Sequence, residues 1–216
     1  MNIANISYLN LLPFRVFLKK RPKSFSMTLQ IAKRGSHPAK INELFLKKRV
    51  EAAFVSSVMS TRANRTNSGI VAKGAVKSVI VKIGEQKNDD ESATSNKLAK
   101  ILGVTGEVFI GDKALARYLK APEEYVDLAA KWNETTGLPF VFGRFCFNKK
   151  KPFYKKLSNE FCSKKTSIPT YQLNGEATKK GFSPKEAKEY LALISYRIGY
   201  KEERGFALFM KKVKKL

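Results

Sequence analysis

The sequence predicts an α/β fold in two lobes built on doubly wound sheets, and three observations carry that expectation. Strand-like and helix-like segments alternate in a β-α-β-α-β rhythm through the first two thirds of the chain, the pattern of a parallel, doubly wound sheet. Prolines and hydroxyl residues stand where the helices of that rhythm have to open. Two long apolar runs, residues 76–83 and 138–147, flank a second block of strands and helices and read as the strands that cross between the lobes.

Taken in order, residues 3–8 read as a strand and 11–20 as a helix opened by Pro13. Proline has no N–H to donate, so it fits a first turn, where that donor is unpaired anyway. Residues 26–33 alternate apolar and polar side chains like an exposed strand. A helix over 38–48 carries Ile41, Leu44 and Phe45 on one face. An apolar strand over 50–55 ends in Ser56-Ser57 and leads into a helix reaching about residue 63; strands follow at 70–73 and 76–83. In the second block, Ser92-Ala93-Thr94-Ser95 precedes Leu98, Ile101 and Leu102, the pattern of a capped helix. A very short strand, 108–110, ends at Gly111-Asp112, and helices follow over 113–120 and 127–135, the second carrying Trp132. After the strand at 138–147 the chain reads as helical: 152–163, then from Ser183-Pro184 to about 196, then from about 201 with Phe206, Phe209 and Met210 on one face.

At 216 residues with 43% apolar content, the chain is long enough for one large domain or two small ones with ample core. No run approaches the roughly 20 apolar residues of a membrane-spanning helix. Residues 6–14 lack the basic region, continuous apolar core and small-residue cleavage site of a secretory signal, so a cytoplasmic protein is expected. Cys146 and Cys162 are too far apart for a C-x-x-C site and read as two buried thiols in a reducing compartment. The sole histidine, His37, reads as structural, and no cluster suggests catalytic zinc.

Forty-two Lys and Arg against 18 Asp and Glu leave a net charge of +24. One reading is a nucleic-acid binder; the other is a solvated surface whose field attracts anionic metabolites. The charge sits in short runs spread along the chain, such as Lys47-Lys48-Arg49 and Lys149-Lys150-Lys151, with no recognition-helix, zinc-finger or RNA-binding motif beside them, so no specific nucleic-acid partner is expected.

Ser7, Tyr8 and Asn10 collect at the carboxyl end of the first strand beside a helix N-terminus, the crevice where α/β sheets bind ligands and helix ends favour anions. Asn10 suits either an Asx turn or a ligand that needs a donor and an acceptor together. Thr94 and Ser95 suit an N-cap, a carboxylate receiver, or both. Asp112 is a helix cap or a ligand-positioning or basic group. Lys77 and Arg144 either add positive potential near the crossings or are plain surface charge. No His–Asp pair accompanies the serines, which argues against a serine nucleophile.

Six motifs occur in one order: Ser7-Tyr8-Leu9-Asn10-x-x-Pro13, Val55-Ser56-Ser57-Val58, Gly74-x-Val76-x-Ser78-Val79, Thr94-Ser95-x-x-Leu98, Ile110-Gly111-Asp112-x-Ala114-Leu115, and Asp127-Leu128 through Trp132 to Gly137-Leu138-Pro139-Phe140. Over roughly residues 3–210 the chain resembles the menaquinone-biosynthesis chorismate dehydratases of the futalosine pathway. A sister family that makes dihydroxynaphthoate shares the fold but opens with a Ser-Pro-Cys-Pro-Asn type of motif. The resemblance implies a fold like the type II periplasmic binding proteins, with lobe one at about 1–77 and 145–216 and lobe two at 78–144. It implies a lyase that dehydrates chorismate to 3-[(1-carboxyvinyl)oxy]benzoate without metal or organic cofactor. It implies Asn10 and Ser78 as catalytic residues, and Ser7, Tyr8, Ser57, Thr94, Ser95, Gly111 and Asp112 as substrate-binding ones. The substrate's own enolpyruvyl carboxylate then serves as a candidate base. Only residues 103–107 separate the Leu98 helix from the Ile-Gly-Asp strand, so the second lobe is expected to be trimmed. The rival readings are a non-catalytic binding protein for a small anion and, behind it, the basic nucleic-acid binder.

Overall fold

The described residues of the computed structural model (2–21, 28–31, 38–163 and 165–216) form a six-stranded mixed sheet and a three-stranded one. In the larger sheet β1 (Asn2–Asn5) pairs in parallel with β2 (Thr28–Ile31) and with β3 (Ala52–Ser56). Helices α1 (Leu12–Lys19) and α2 (Pro38–Leu46) make the two crossovers that parallel pairing requires. Of the strand expected over 26–33, residues 28–31 are described; His37 lies outside the described residues.

Beyond β3 the sheet is antiparallel. After the short α3 (Ser57–Ser60) the chain enters β4 (Asn64–Ala72) and leaves for the smaller sheet, β5 (Val79–Ile83), β6 (Gly106–Ile110) and β7 (Tyr125–Asp127), ordered β6-β5-β7 with every pairing antiparallel. Helices α4 (Ala93–Ile101), α5 (Gly111–Lys120) and α6 (Leu128–Thr136) belong to this block. The chain then returns as β8 (Phe140–Phe147), which inserts between β3 and β4 and opposes both. The direction follows from the entry point: β8 begins at Phe140, opposite Ala72, the residue where β4 left the sheet. The expected all-parallel sheet is therefore parallel at β2-β1-β3 alone.

The two apolar runs read as crossing strands each begin at a crossing and then pair within one sheet, β5 in the smaller and β8 in the larger. The boundary expected at 144–145 falls inside β8. Residues 73–78 and α6 with 137–139 make the actual crossings, and one buried carboxylate ties them together. Asp127 caps α6 through Ala129 and Ala130, and its other oxygen accepts the Val76 and Lys77 N–H groups at 2.8 and 2.6 Å. Burial raises its pKa despite these four donors.

The C-terminal part adds α7 (Lys151–Ser163), α8 (Thr170–Lys179), α9 (Pro184–Ala192), β9 (Ile194–Arg197) and α10 (Tyr200–Val213). Ser183 and Glu186 form a full capping box at α9. The helix expected to run to about 196 stops at Ala192, because residues 194–197 pair with β4 and complete the sheet edge. Phe14 of α1 packs on Phe54, Phe145 and Phe161 with ring centroids 5.0–5.2 Å apart. Trp132, Phe140 and Phe209 form a second aromatic group that joins α6, β8 and α10. No helix among the described residues is long and apolar enough to cross a membrane.

Candidate active site

β1 and β3 end at a cleft that the smaller sheet closes from the other side. The cleft holds about 640 Å³, part of it open to solvent. Ile6, Tyr8, Asn10, Ser56, Ile70 and Phe142 line it from the larger sheet, and Val76, Ser78, Ser92, Ser95, Ile110 and Gly111 from the smaller. The walls are mainly apolar, and the polar groups that converge on the space are hydroxyls and one carboxamide.

Asn10 is 8% exposed, and its Oδ1 is buried without a protein partner. Its main-chain carbonyl accepts a hydrogen bond from the Tyr196 hydroxyl. Ser78, at the crossing tied by Asp127, accepts a hydrogen bond from the Tyr190 hydroxyl at 2.9 Å. The Ser78 carbonyl accepts the Gly111 N–H at 2.9 Å, so both crevice residues sit on one fixed backbone unit. Tyr8 donates to Glu91 across the cleft at 2.8 Å, and its pKa is raised first by burial and then by that carboxylate. Its ring lies against Gly111, where φ is +68° and a Cβ would come within 2.6–2.9 Å of ring carbons.

At α4, Ser92 caps the helix by accepting the Ser95 N–H, and its hydroxyl donates to the Ser95 hydroxyl at 2.8 Å. Both line the cleft. The first N–H groups of α4 and of α5 have no partner within their own helices and carry the positive end of the dipole.

Four expected residues stand outside the lining. Ser57 is fully buried and donates to the Val141 carbonyl of β8, while its neighbour Ser56 faces the cleft. Thr94 is buried and accepts the Val58 N–H at 3.2 Å, joining α4 to α3. Ser7 is half-buried in the turn after β1. Asp112 accepts the Leu9 N–H at 3.0 Å and pairs with Lys180, both side chains 16% exposed, so it latches α5 to the larger lobe. Arg144 is committed to Glu203 and the Thr66 carbonyl, not to the cleft. Sequence reasoning missed Tyr190, Tyr196, Glu91 and Lys180. The helical periodicity of α9 shows Tyr190 as an apolar-face residue, and nothing local links it to Ser78.

Among the described residues no group of three or more His, Cys, Asp or Glu is placed to hold a metal. Burial pushes the Cys146 thiol up to about 12 and the Cys162 thiol up to about 11, which keeps both protonated.

Residues 101–215 match the family model described as menaquinone biosynthesis. The chain is also 41% identical, over 220 residues, to the protein of Campylobacter jejuni subsp. jejuni serotype O:23/36 (strain 81-176) named chorismate dehydratase; the alignment covers 100% of this chain and 99% of that one. The chain belongs to the menaquinone biosynthesis family. The fold is shared more widely. A crystal structure of an Archaeoglobus fulgidus protein superposes with a TM-score of 0.74 at 12% identity, covering 99% of this chain and 96% of that one. The periplasmic aliphatic sulphonate binding protein of Escherichia coli gives 0.57 at 10% identity over 99% and 90% of the two chains. This family member therefore has a periplasmic-binding-protein-like fold. The chain and the Campylobacter protein are of nearly equal length.

Proposed function

We propose that the protein is a carbon–oxygen lyase that removes water from chorismate to give 3-[(1-carboxyvinyl)oxy]benzoate, working in the cytoplasm without metal or organic cofactor. The observation that carries this reading is the Asn10 Oδ1, buried and unpartnered on the same cavity as the Ser78 hydroxyl. Membership of the family and the likeness to the Campylobacter protein named chorismate dehydratase support it.

Chorismate carries two carboxylates, an enolpyruvyl ether and a neighbouring ring hydroxyl. Dehydration removes the ring proton beside the ether and the hydroxyl, together one water, and leaves an aromatic ring. Aromatisation drives the reaction, so much of the enzyme's contribution is geometry. Ser78 accepts from Tyr190, which leaves the Ser78 proton to point at the departing oxygen. The Asn10 Oδ1 accepts the proton of that same hydroxyl. A donor and an acceptor fixed on one hydroxyl define which ring face it leaves from. The ring proton goes to the substrate's enolpyruvyl carboxylate. The first turns of α4 and α5, with Ser92 and Ser95, receive the carboxylates. The lobes meet at residues 73–78 and 137–139 and close over the bound ring.

The test is direct. Purified protein is incubated with chorismate while its absorbance is followed and products are separated. Loss of chorismate with equimolar substituted benzoate is expected. Chorismate left intact between pH 5 and 9.5 would refute the lyase reading, and binding without product would favour a solute-binding role.

A further inference from the structure

Tyr190 is not part of the cleft lining, yet it bonds to Ser78, one of the two residues that the dehydratase reading makes chemical. It projects from α9, a helix of the C-terminal part of the chain, and is 2% exposed. Its hydroxyl donates to Ser78 Oγ at 2.9 Å. A hydroxyl has one proton and can accept as well as donate. The Tyr190 proton goes to the Ser78 oxygen.

That direction has a consequence for Ser78, which already accepts and so has its proton free for the cavity. On the same cavity, Asn10 Oδ1 is buried without a protein partner. Reversing the tyrosine would turn Ser78 inward and remove the donor from the cleft.

We propose that Tyr190 is a positioning residue that sets Ser78 as the donor for a ligand hydroxyl in the cleft. The proposal rests on the dehydratase reading and deepens it. Tyr190 needs no change of protonation for this role. Burial in the surrounding core keeps it neutral, as a one-way dipole must be. The ring is buried in the main core, so Tyr190→Phe keeps the shape and removes only the hydroxyl.

The experiment is a double-mutant cycle of Tyr190→Phe and Ser78→Ala in single turnover, with enzyme in excess so that slow variants are readable. Active fraction is checked by urea unfolding. Misplacing a reacting group by a fraction of an ångström to an ångström costs about 10–100-fold in rate, so Y190F is expected to lose about 10–100-fold in the chemical step, with chorismate half-saturation within about threefold of wild type. In the S78A background the same change should cost less than about threefold, because the serine through which Tyr190 acts is gone. Wild-type rates in Y190F, or an equal fractional loss in both backgrounds, would overturn the proposal while leaving the dehydratase reading intact. A wild-type protein that leaves chorismate unchanged overturns the dehydratase reading and this proposal with it.

Discussion

Two glycines with nearly the same backbone separate the role of the Tyr8 wall from the cost of a strained dihedral. Gly111 has φ +68° and Gly137 has φ +66°, so alanine at either meets the same left-handed penalty of about 1–2 kcal/mol. Around Gly137 no atom lies within 4 Å of the added carbon, and the cost stops there. At Gly111 the carbon would sit 2.6–2.9 Å from the Tyr8 ring, which its hydroxyl pins to Glu91. The ring has to turn, which adds about 1–3 kcal/mol of overpacking and moves one wall of the cleft. Urea unfolding should therefore place Gly111→Ala about 1–3 kcal/mol below Gly137→Ala. Chorismate turnover should fall in Gly111→Ala, with a raised KM, and stay near wild type in Gly137→Ala. Equal stability and equal activity in the two variants would refute the reasoning, because the Tyr8 contact would then carry neither packing nor binding.

Asp112→Asn keeps an oxygen for the Leu9 N–H but loses the charge that meets Lys180. Weakening this half-dry pair by about 1–2 kcal/mol should raise KM for chorismate about 5–30-fold with kcat little changed; lost turnover at unchanged affinity would make Asp112 a chemical participant instead. The pH profile follows from the tyrosines. Burial raises the pKa of both Tyr8 and Tyr190 above the ordinary 10.0, so both stay neutral through the working range. Their folded pKa lies above the unfolded one, so the stability they contribute is complete below about pH 10 and is lost as pH rises beyond it. Turnover should be flat from pH 6 to 9.5, and unfolding free energy should begin to fall above about pH 10; a limb with a midpoint near 6.5 would bring His37, the one histidine, into the chemistry.

Much of the frame was legible because its signals are local. Pro13, Ser92 and Ser183-Pro184 each opened the helix their chemistry demands, and the Ser183 capping box is fully formed. What was not legible depends on contacts across the chain. β9 is strand because β4 offers it an edge, a fact absent from residues 194–197 themselves. At the β3–α3 junction the expected hydroxyl was one residue from the one that faces the cleft: Ser57 bonds β8 while Ser56 lines the cavity; of the expected pair opening α4, Ser95 lines the cavity and Thr94 bonds α3. A turn of the chain at such a junction swings neighbouring side chains to different sides, and the motif alone does not say which is which. Tyr190 lies 112 residues from Ser78, beyond any pattern in the sequence.

The charge of the chain and the neutrality of its cleft belong to one account. A net +24 draws a dianion toward the protein over distance. Yet none of the described residues lining the cleft is a lysine or arginine, and Arg144, beside Gly143 of the lining, is turned away to Glu203. A cation against a carboxylate lowers its pKa and so its strength as a base. In the proposed reaction the base is a carboxylate of the substrate itself. Holding it with hydroxyls and helix N–H groups rather than an ion pair fixes its position at a smaller cost to its basicity. The same ring of neutral donors that would be weak for binding alone is thus suited to substrate-assisted elimination, with the long-range field supplying the attraction that the walls of the cleft do not.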